Sequence, residues 1–214
     1  MHCHSTDIFF MYFTEKMTST IEYYNKNAVE YSADTIGVDF SATQEKFLEY
    51  LPSNAKILDF GCGSGRDTKC FLGKGFAVDA IDGSEELCRL ASAYTGISVK
   101  HMRFEHLDAV GEYDGIWACA SILHLPWNDL ATVLHKMAAA LKADGVIYTS
   151  FKYGDFSGER NGRFFTNLTE IRLADLLASV PELQCRESWI SADVRANRKG
   201  EKWMNAIFSR KVAH

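Results

Sequence analysis

The stretch Ile57-Leu58-Asp59-Phe60-Gly61-Cys62-Gly63-Ser64-Gly65-Arg66-Asp67 constrains the fold more tightly than any other part of the chain. An apolar run of strand length ends in an acid, three glycines follow at alternate positions, and a polar helix start comes next. Glycine has no Cβ and tolerates left-handed backbone, so such a turn lets main chain approach a ligand closely, beside the free N–H groups of a helix start. The dinucleotide fingerprint G-x-G-x-x-G needs glycine at position 66, where this chain has Arg66. An acid leading into the loop suits a cationic or amino-bearing ligand better than a pyrophosphate. The next strand-like run, Phe76 to Ile81, ends in Asp82. A carboxylate there can accept hydrogen bonds from both hydroxyls of a ribose.

Strand-like and helix-like periods alternate from this point, which predicts an α/β fold with a parallel sheet and helices on both faces. Strands are expected at 56–60, 76–81, 98–103, 113–118 and 146–151, and a helix over 64–73. Ser84 caps the next helix, with Glu85 and Glu86 at the positive end of its dipole. Trp127, Leu130, Val133, Leu134, Met137 and Leu141 recur at helical spacing, and Gly145 is read as the stop. Upstream, Tyr23 to Tyr31 is aromatic and helix-compatible, as a lid or as packing. Ser41 and Gln44 have capping-box spacing ahead of Phe47, Leu48 and Leu51, and Pro52 ends that run. Residues 152–167 are rich in glycine and charge and long for a connection, which predicts an active-site loop. Thr169 is a candidate cap for a helix reaching Val180, with Leu168 and Leu173 as a hydrophobic staple. Two β-like runs, 183–190 and 203–211, flank a polar link over 191–202.

The 214 residues, 47% of them hydrophobic, suffice for one domain with a real core. Its expected parts are an N-terminal helical cap (20–52), a cofactor-binding half (53–151) and a substrate-side half (152–214), with 1–19 as a loosely packed or disordered extension. The net charge of -5 argues against a nucleic-acid binder, for which a basic footprint is the usual sign. The balance is uneven, since residues 151–214 hold 11 Lys or Arg against 8 Asp or Glu. That bias points to an anionic substrate or to solvated loops. Six cysteines without a CxxC pair fit a reducing, cytoplasmic setting and suggest no metal site. The apolar run Ile8 to Phe13 is too short to span a membrane.

On Asp59-x-Gly61-x-Gly63-x-Gly65, Asp82 and the strand–helix alternation, residues 38–151 resemble the class I S-adenosylmethionine-dependent methyltransferases. The resemblance implies a three-layer Rossmann-like sandwich with a seven-stranded, mostly parallel sheet whose last strand is antiparallel. It implies S-adenosylmethionine as cofactor and S-adenosylhomocysteine as product. By the same resemblance Asp59 lies near the donor's amino group, and Gly61, Cys62, Gly63 and Gly65 form the turn beneath it. Asp82 holds the ribose, Gly83 and Ser84 lie beside the adenine, and Phe104, Glu105 and His106 border its exocyclic amine. Trp117, Ala118 and Ser121 face the methionine and sulfonium. Tyr23 to Ala28, Ser121 to Pro126, Ser150 to Gly154 and Trp203 to Asn205 are similar to a bacterial subgroup labelled tellurite-resistance-like, which implies a small-molecule acceptor, anionic or metalloid.

In-line methyl displacement asks little protein chemistry beyond alignment. Where the acceptor loses a proton, His124 is the candidate general base, because an unperturbed imidazole titrates near neutrality. Lys152, Arg160, Arg163 and Arg195, with Arg198, are candidates for binding an anionic acceptor. Tyr24 and Tyr31 are candidates to close over the donor. Two other readings stay open here: a donor-binding partner or sensor with little catalysis, and a nucleotide-dependent oxidoreductase, which Arg66 disfavours. Oligomeric state is not legible.

Overall fold

The computed structural model describes residues 19–195, 198 and 200–211. The expected extension therefore lies almost wholly outside the described residues. Two short helices come first, α1 over 19–26 and α2 over Ala28–Ile36, followed by α3 over Ser41–Leu48. Then come β1 (Lys56–Phe60), α4 (Arg66–Gly73), β2 (Ala77–Asp82), α5 (Glu85–Thr95), β3 (Lys100–His101) and β4 (Tyr113–Ala118). The chain ends with α6 (Trp127–Ala140), β5 (Leu141–Lys152), β6 (Ser157–Arg160), β7 (Arg163–Thr166), α7 (Glu170–Ala178), β8 (Leu183–Ala192) and β9 (Lys202–Arg210).

Seven strands form one sheet in the order β3-β2-β1-β4-β5-β9-β8. Strands β3, β2, β1, β4 and β5 pair in parallel, and β9 runs antiparallel between β5 and β8. This is the sandwich that the resemblance implies. Successive residues of each strand serve opposite faces. Leu58, Ile116, Ile147 and Phe208 join a core with Leu130 and Leu134 of α6 and Leu176 of α7. Their neighbours Ile57, Trp117, Tyr148 and Ile207 pack on the other face with Phe47 of α3 and Phe71 of α4. Each large apolar side chain fully buried here contributes about 2 kcal/mol.

Several local readings hold. Ser84 Oγ accepts from Leu87 N at 3.2 Å, and Thr169 Oγ1 accepts from Arg172 N at 3.3 Å. Leu168 and Leu173 are both buried in the α6–α7 core, as a staple requires. Others are corrected. Phe40, not Ser41, precedes α3; Asp39 Oδ1 accepts from Ser41 N, and Gln44 turns its amide inward to Asp67. α6 ends at Ala140 and β5 begins at once, so Gly145 lies inside a strand. An added Cβ there would meet Leu141 at 2.9 Å and Tyr113 O at 3.0 Å, so close strand packing explains the glycine. β3 shrinks to two residues because only Lys100 and His101 reach β2. The expected loop 152–167 contains a hairpin, β6–β7, turned by Asn161 (φ 52°) and Gly162 (φ 73°). Positive φ at both central residues is what a tight hairpin turn needs.

Candidate functional site

The glycine turn leads from β1 into α4 at the carboxyl end of the sheet and is tied to the end of β2. Gly61 N and Cys62 N both donate to Ile81 O, at 3.0 and 2.9 Å. Gly63 N donates to Asp82 Oδ2 at 2.9 Å, and Ser84 N to Oδ1 at 2.8 Å. Burial raises the Asp82 carboxyl above its usual range, against these backbone donors. Gly61, Gly63 and Gly65 all have positive φ, for different reasons. A Cβ on Gly61 would sit 2.5 Å from Ser121 Cβ, and one on Gly63 3.1 Å from the Tyr31 ring. A Cβ on Gly65 would sit 2.8 Å from Thr95 Cγ2, so this glycine lets α4 close on α5 and borders neither cavity. Gly65→Ala is expected to lower stability by about 2–3 kcal/mol, strain plus clash. Gly75→Ala, at similar φ with nothing within 4 Å, serves as its control and costs about 1 kcal/mol. Thermal unfolding compares the two.

Two cavities open on this turn. The smaller, of about 60 Å³, is bordered by Ile21, Asp82, Gly83, Ser84, Arg103 and Phe104. The larger, of about 130 Å³, runs past Cys62, Arg66 and Cys119 to Lys152, Arg163 and Arg195. Tyr24, Tyr31, Gly61, Ala120 and His124 border both, so the cavities meet there. Ala120 has φ of 50°, a left-handed conformation unusual for alanine, and its N–H donates to Ser150 Oγ at 2.9 Å. α1 and α2 roof the junction. Ser84 Oγ donates to Asn25 Oδ1 at 2.6 Å, Thr35 Oγ1 donates to Ser64 Oγ at 3.0 Å, and Phe164 N donates to Thr20 Oγ1 at 3.0 Å.

His124 is 6% exposed, and its Nδ1 lies 2.6 Å from Phe164 O. Because a carbonyl only accepts, Nδ1 carries the proton, and Nε2 accepts from the Tyr24 hydroxyl at 2.9 Å. Burial lowers the imidazole to about 4, and the nearby Arg163 and Lys152 charges act in the same direction. The expectation of a near-neutral titration is thereby corrected: this imidazole is neutral and holds a phenol. Linkage follows with a definite sign. A group neutral when folded and titrating near 6.5 when unfolded withdraws stability as pH falls from about 6.5 to about 4, about 3 kcal/mol in all. His124→Asn, which keeps a donor toward Phe164 O, is expected to flatten that part of the stability–pH profile in denaturant titrations.

The cations differ in how far their charge is used. Lys152 pairs with Glu201 at 2.5 Å, and Arg195 grips Asp193 through Nε and Nη2 at 2.9 and 2.6 Å. Arg163 has no carboxylate within ion-pair distance among the described residues. Its guanidinium lies over Tyr23, Tyr24 and Phe165 at 4.4, 5.7 and 5.3 Å, and its Nε is buried without a hydrogen-bond partner. Arg160 is exposed, stacks on Phe156 and borders neither cavity.

Several other expected positions fall away from the cavities. Asp59 lies beneath the turn, 2% exposed, and accepts from Thr68 Oγ1 at 2.5 Å. Burial first, and then the Asp67 charge, push its carboxyl well above the usual range. Trp117 is fully buried, stacked on Tyr148 at 4.1 Å with its indole N–H on Asp67. Ala118 is equally buried, so cavity contact passes to Cys119 and Ala120. Glu105 pairs with Arg103 at 2.7 Å; neither it nor His106 borders a cavity, whereas Phe104 and Arg103 do. Ser121 donates to Phe60 O at 2.6 Å and borders the smaller cavity. Arg66, Cys119, Ala120, Ser150 and Asn205 were not among the expected site residues. Only Arg66 carries a sequence signal, its place directly after the glycines.

Residues 57–145 match the family described as a methyltransferase domain. The ubiquinone biosynthesis O-methyltransferase of Xanthomonas axonopodis pv. citri is 31% identical over 48% of this chain and 47% of its own length. The match thus spans about half of that relative. Among solved structures, the 1,6-didemethyltoxoflavin-N1-methyltransferase of Burkholderia thailandensis, bound to 1,6-didemethyltoxoflavin and S-adenosylhomocysteine, superposes with a TM-score of 0.72. It is 20% identical, over 99% of this chain and 92% of that one. A TehB-like S-adenosylmethionine-dependent methyltransferase from Corynebacterium glutamicum gives 0.64 at 20% identity, over 89% and 98% of the two chains. At such identities the structural likeness speaks for the fold. No helix among the described residues is long and apolar enough to cross a membrane.

Proposed function

We propose that this chain, a class I S-adenosylmethionine-dependent methyltransferase, passes the donor's methyl to a small acceptor bearing an anionic or oxyanion group. The observation that carries this reading is the pair of cavities meeting at Tyr24, Tyr31, Gly61, Ala120 and His124, with Asp82 on one side and Arg163 on the other. The residues present fit the donor. Two backbone N–H groups occupy part of the Asp82 carboxylate, which has about four acceptor sites, so capacity remains for ribose hydroxyls. Gly61 and Gly63 bring main chain to the cavity wall where a Cβ would collide with Ser121 and crowd Tyr31.

When bound, the donor supplies a methyl on a cationic sulfonium, which the acceptor's lone pair displaces in line. The chain contributes alignment and exclusion of water, through α1 and α2 closing over the junction. Tyr24, held by neutral His124, presents its oxygen where the two cavities join. Arg163, on β7, supplies the positive field for an anionic acceptor.

Calorimetric titration with S-adenosylhomocysteine and with NAD tests the donor. The expected result is binding and thermal stabilisation by the former alone, since a ligand of the folded state raises its apparent stability. Stabilisation by NAD alone contradicts the reading and returns the oxidoreductase alternative.

A further inference from the structure

The larger cavity is walled by rings as well as by cations, and Tyr24, Phe165 and Trp203 all border it. Trp203 of β9 and Lys152 of β5 are direct cross-strand partners, so their side chains leave the same face of the sheet. Phe165 of β7 reaches the same place from the hairpin. The Lys152 ammonium lies 5.6 Å from its ring centroid and 5.9 Å from that of Trp203. Phe165 packs edge-on against His124 at 4.9 Å, and Tyr24 packs edge-on against the same imidazole at 5.5 Å. Trp203 is fixed by more than packing. Its indole N–H donates to Asp193 Oδ2 at 3.0 Å, and Asp193 also accepts from the backbone N–H, Nε and Nη2 of Arg195. Four donors fill a carboxylate, and this one is 2% exposed, so the indole plane is set before any ligand arrives.

The charges narrow the choice of ligand. Arg66, Lys152, Arg195 and Arg198 each have a carboxylate within 4.0 Å, whereas Arg163 has none among the described residues. One unneutralised cation among three rings suits a ligand with one negative charge on a flat apolar body. A compact oxyanion offers charged oxygens and no apolar surface, so it would displace water from these rings without rewarding them. We infer that the acceptor is a planar aromatic monoanion, its ring against the wall made by Trp203 and Phe165 and its charge on Arg163. This narrows the small-acceptor reading above and rests on it. Aromatic faces attract one another beyond the area they bury, and a guanidinium matches a carboxylate in plane.

Calorimetric titration of the protein already loaded with S-adenosylhomocysteine compares three probes: benzoate, cyclohexanecarboxylate, which keeps the charge and ring size without a π face, and tellurite, a compact oxyanion. Benzoate is expected to bind roughly 5- to 10-fold more tightly than cyclohexanecarboxylate, the worth of one aromatic pair, with tellurite weakest. Trp203→Leu should bring benzoate down to the level of cyclohexanecarboxylate, and Trp203→Phe should restore most of the preference. Arg163→Met should weaken both carboxylates alike, by roughly 10-fold or more, and leave the preference intact. Trp203→Leu also strips a donor from Asp193, so the preference in the unmodified protein carries the test if that variant does not fold. Equal binding of the two carboxylates means the rings only pack and overturns the assignment. Tightest binding of tellurite overturns it in favour of a compact oxyanion, and no binding of benzoate overturns it as well. Failure of the protein to take up S-adenosylhomocysteine instead overturns the donor reading on which the assignment depends.

Discussion

Asp82→Ala is expected to weaken S-adenosylhomocysteine binding on the order of 100-fold. Each hydrogen bond from a ribose hydroxyl to a buried carboxylate contributes about 1.5–3 kcal/mol, and two are lost together. The substitution also frees Gly63 N and Ser84 N, which Asp82 holds at 2.9 and 2.8 Å, so the glycine turn loses its tie to the end of β2. These losses act on one site and do not add simply. Asp82→Asn separates them: its amide oxygen can still accept while the negative charge is gone, and roughly 10-fold weakening is expected. Thermal unfolding of both variants guards against loss of fold. An unchanged titration in Asp82→Ala contradicts the placement of the ribose.

The second large effect is expected at Arg163 and is of the opposite kind. Arg163→Met should leave donor affinity within about 2-fold and lower kcat/KM for the acceptor by on the order of 100-fold. Methionine keeps an apolar stem against Tyr23, Tyr24 and Phe165, so packing is largely preserved. What disappears is a guanidinium that no described carboxylate neutralises. A charge in such a place is costly unless a partner arrives, and an anionic acceptor is such a partner. The neighbouring cations make the comparison. Arg195 is already neutralised by Asp193, so Arg195→Met should affect the acceptor less. The kinetic readout is transfer of labelled methyl from the donor to products of a metabolite extract. Equal turnover in Arg163→Met and the unmodified protein contradicts the anionic-acceptor proposal.

The sheet was legible because its signals are local. β1 and β4 fall where their apolar runs predict, and Ser84 and Thr169 cap helices as their side-chain chemistry dictates. The misreadings have separate physical causes. The Asn161-Gly162 pair is itself a tight-turn signal, but the surrounding charge and glycine hid the hairpin, and with it the burial of Phe164 and Phe165. Gly145 looked like a helix stop because strand crowding from Leu141 and Tyr113 has no signature in one dimension. Trp117 was expected at the donor but belongs to the opposite face of the sheet, beside Tyr148 and Asp67. Cys119 and Ala120, just beyond the strand, border the cavities instead. His124 was expected to titrate near neutrality, yet burial against Phe164 and Tyr24 is a tertiary effect that composition does not carry. Arg66 serves in the sequence only to exclude a dinucleotide. The Asp67 carboxylate that grips it also holds Gln44 of α3 and Trp117 of β4, elements far apart in sequence.

The most direct test of methyl transfer to a small acceptor uses donor labelled in its methyl group, incubated with the protein and a metabolite extract, followed by separation of products by size. The account predicts a labelled product of low molecular weight, formed by the unmodified protein and strongly reduced with Asp82→Ala. Tight donor binding with no labelled product from any acceptor pool contradicts it and makes the chain a donor-binding module instead.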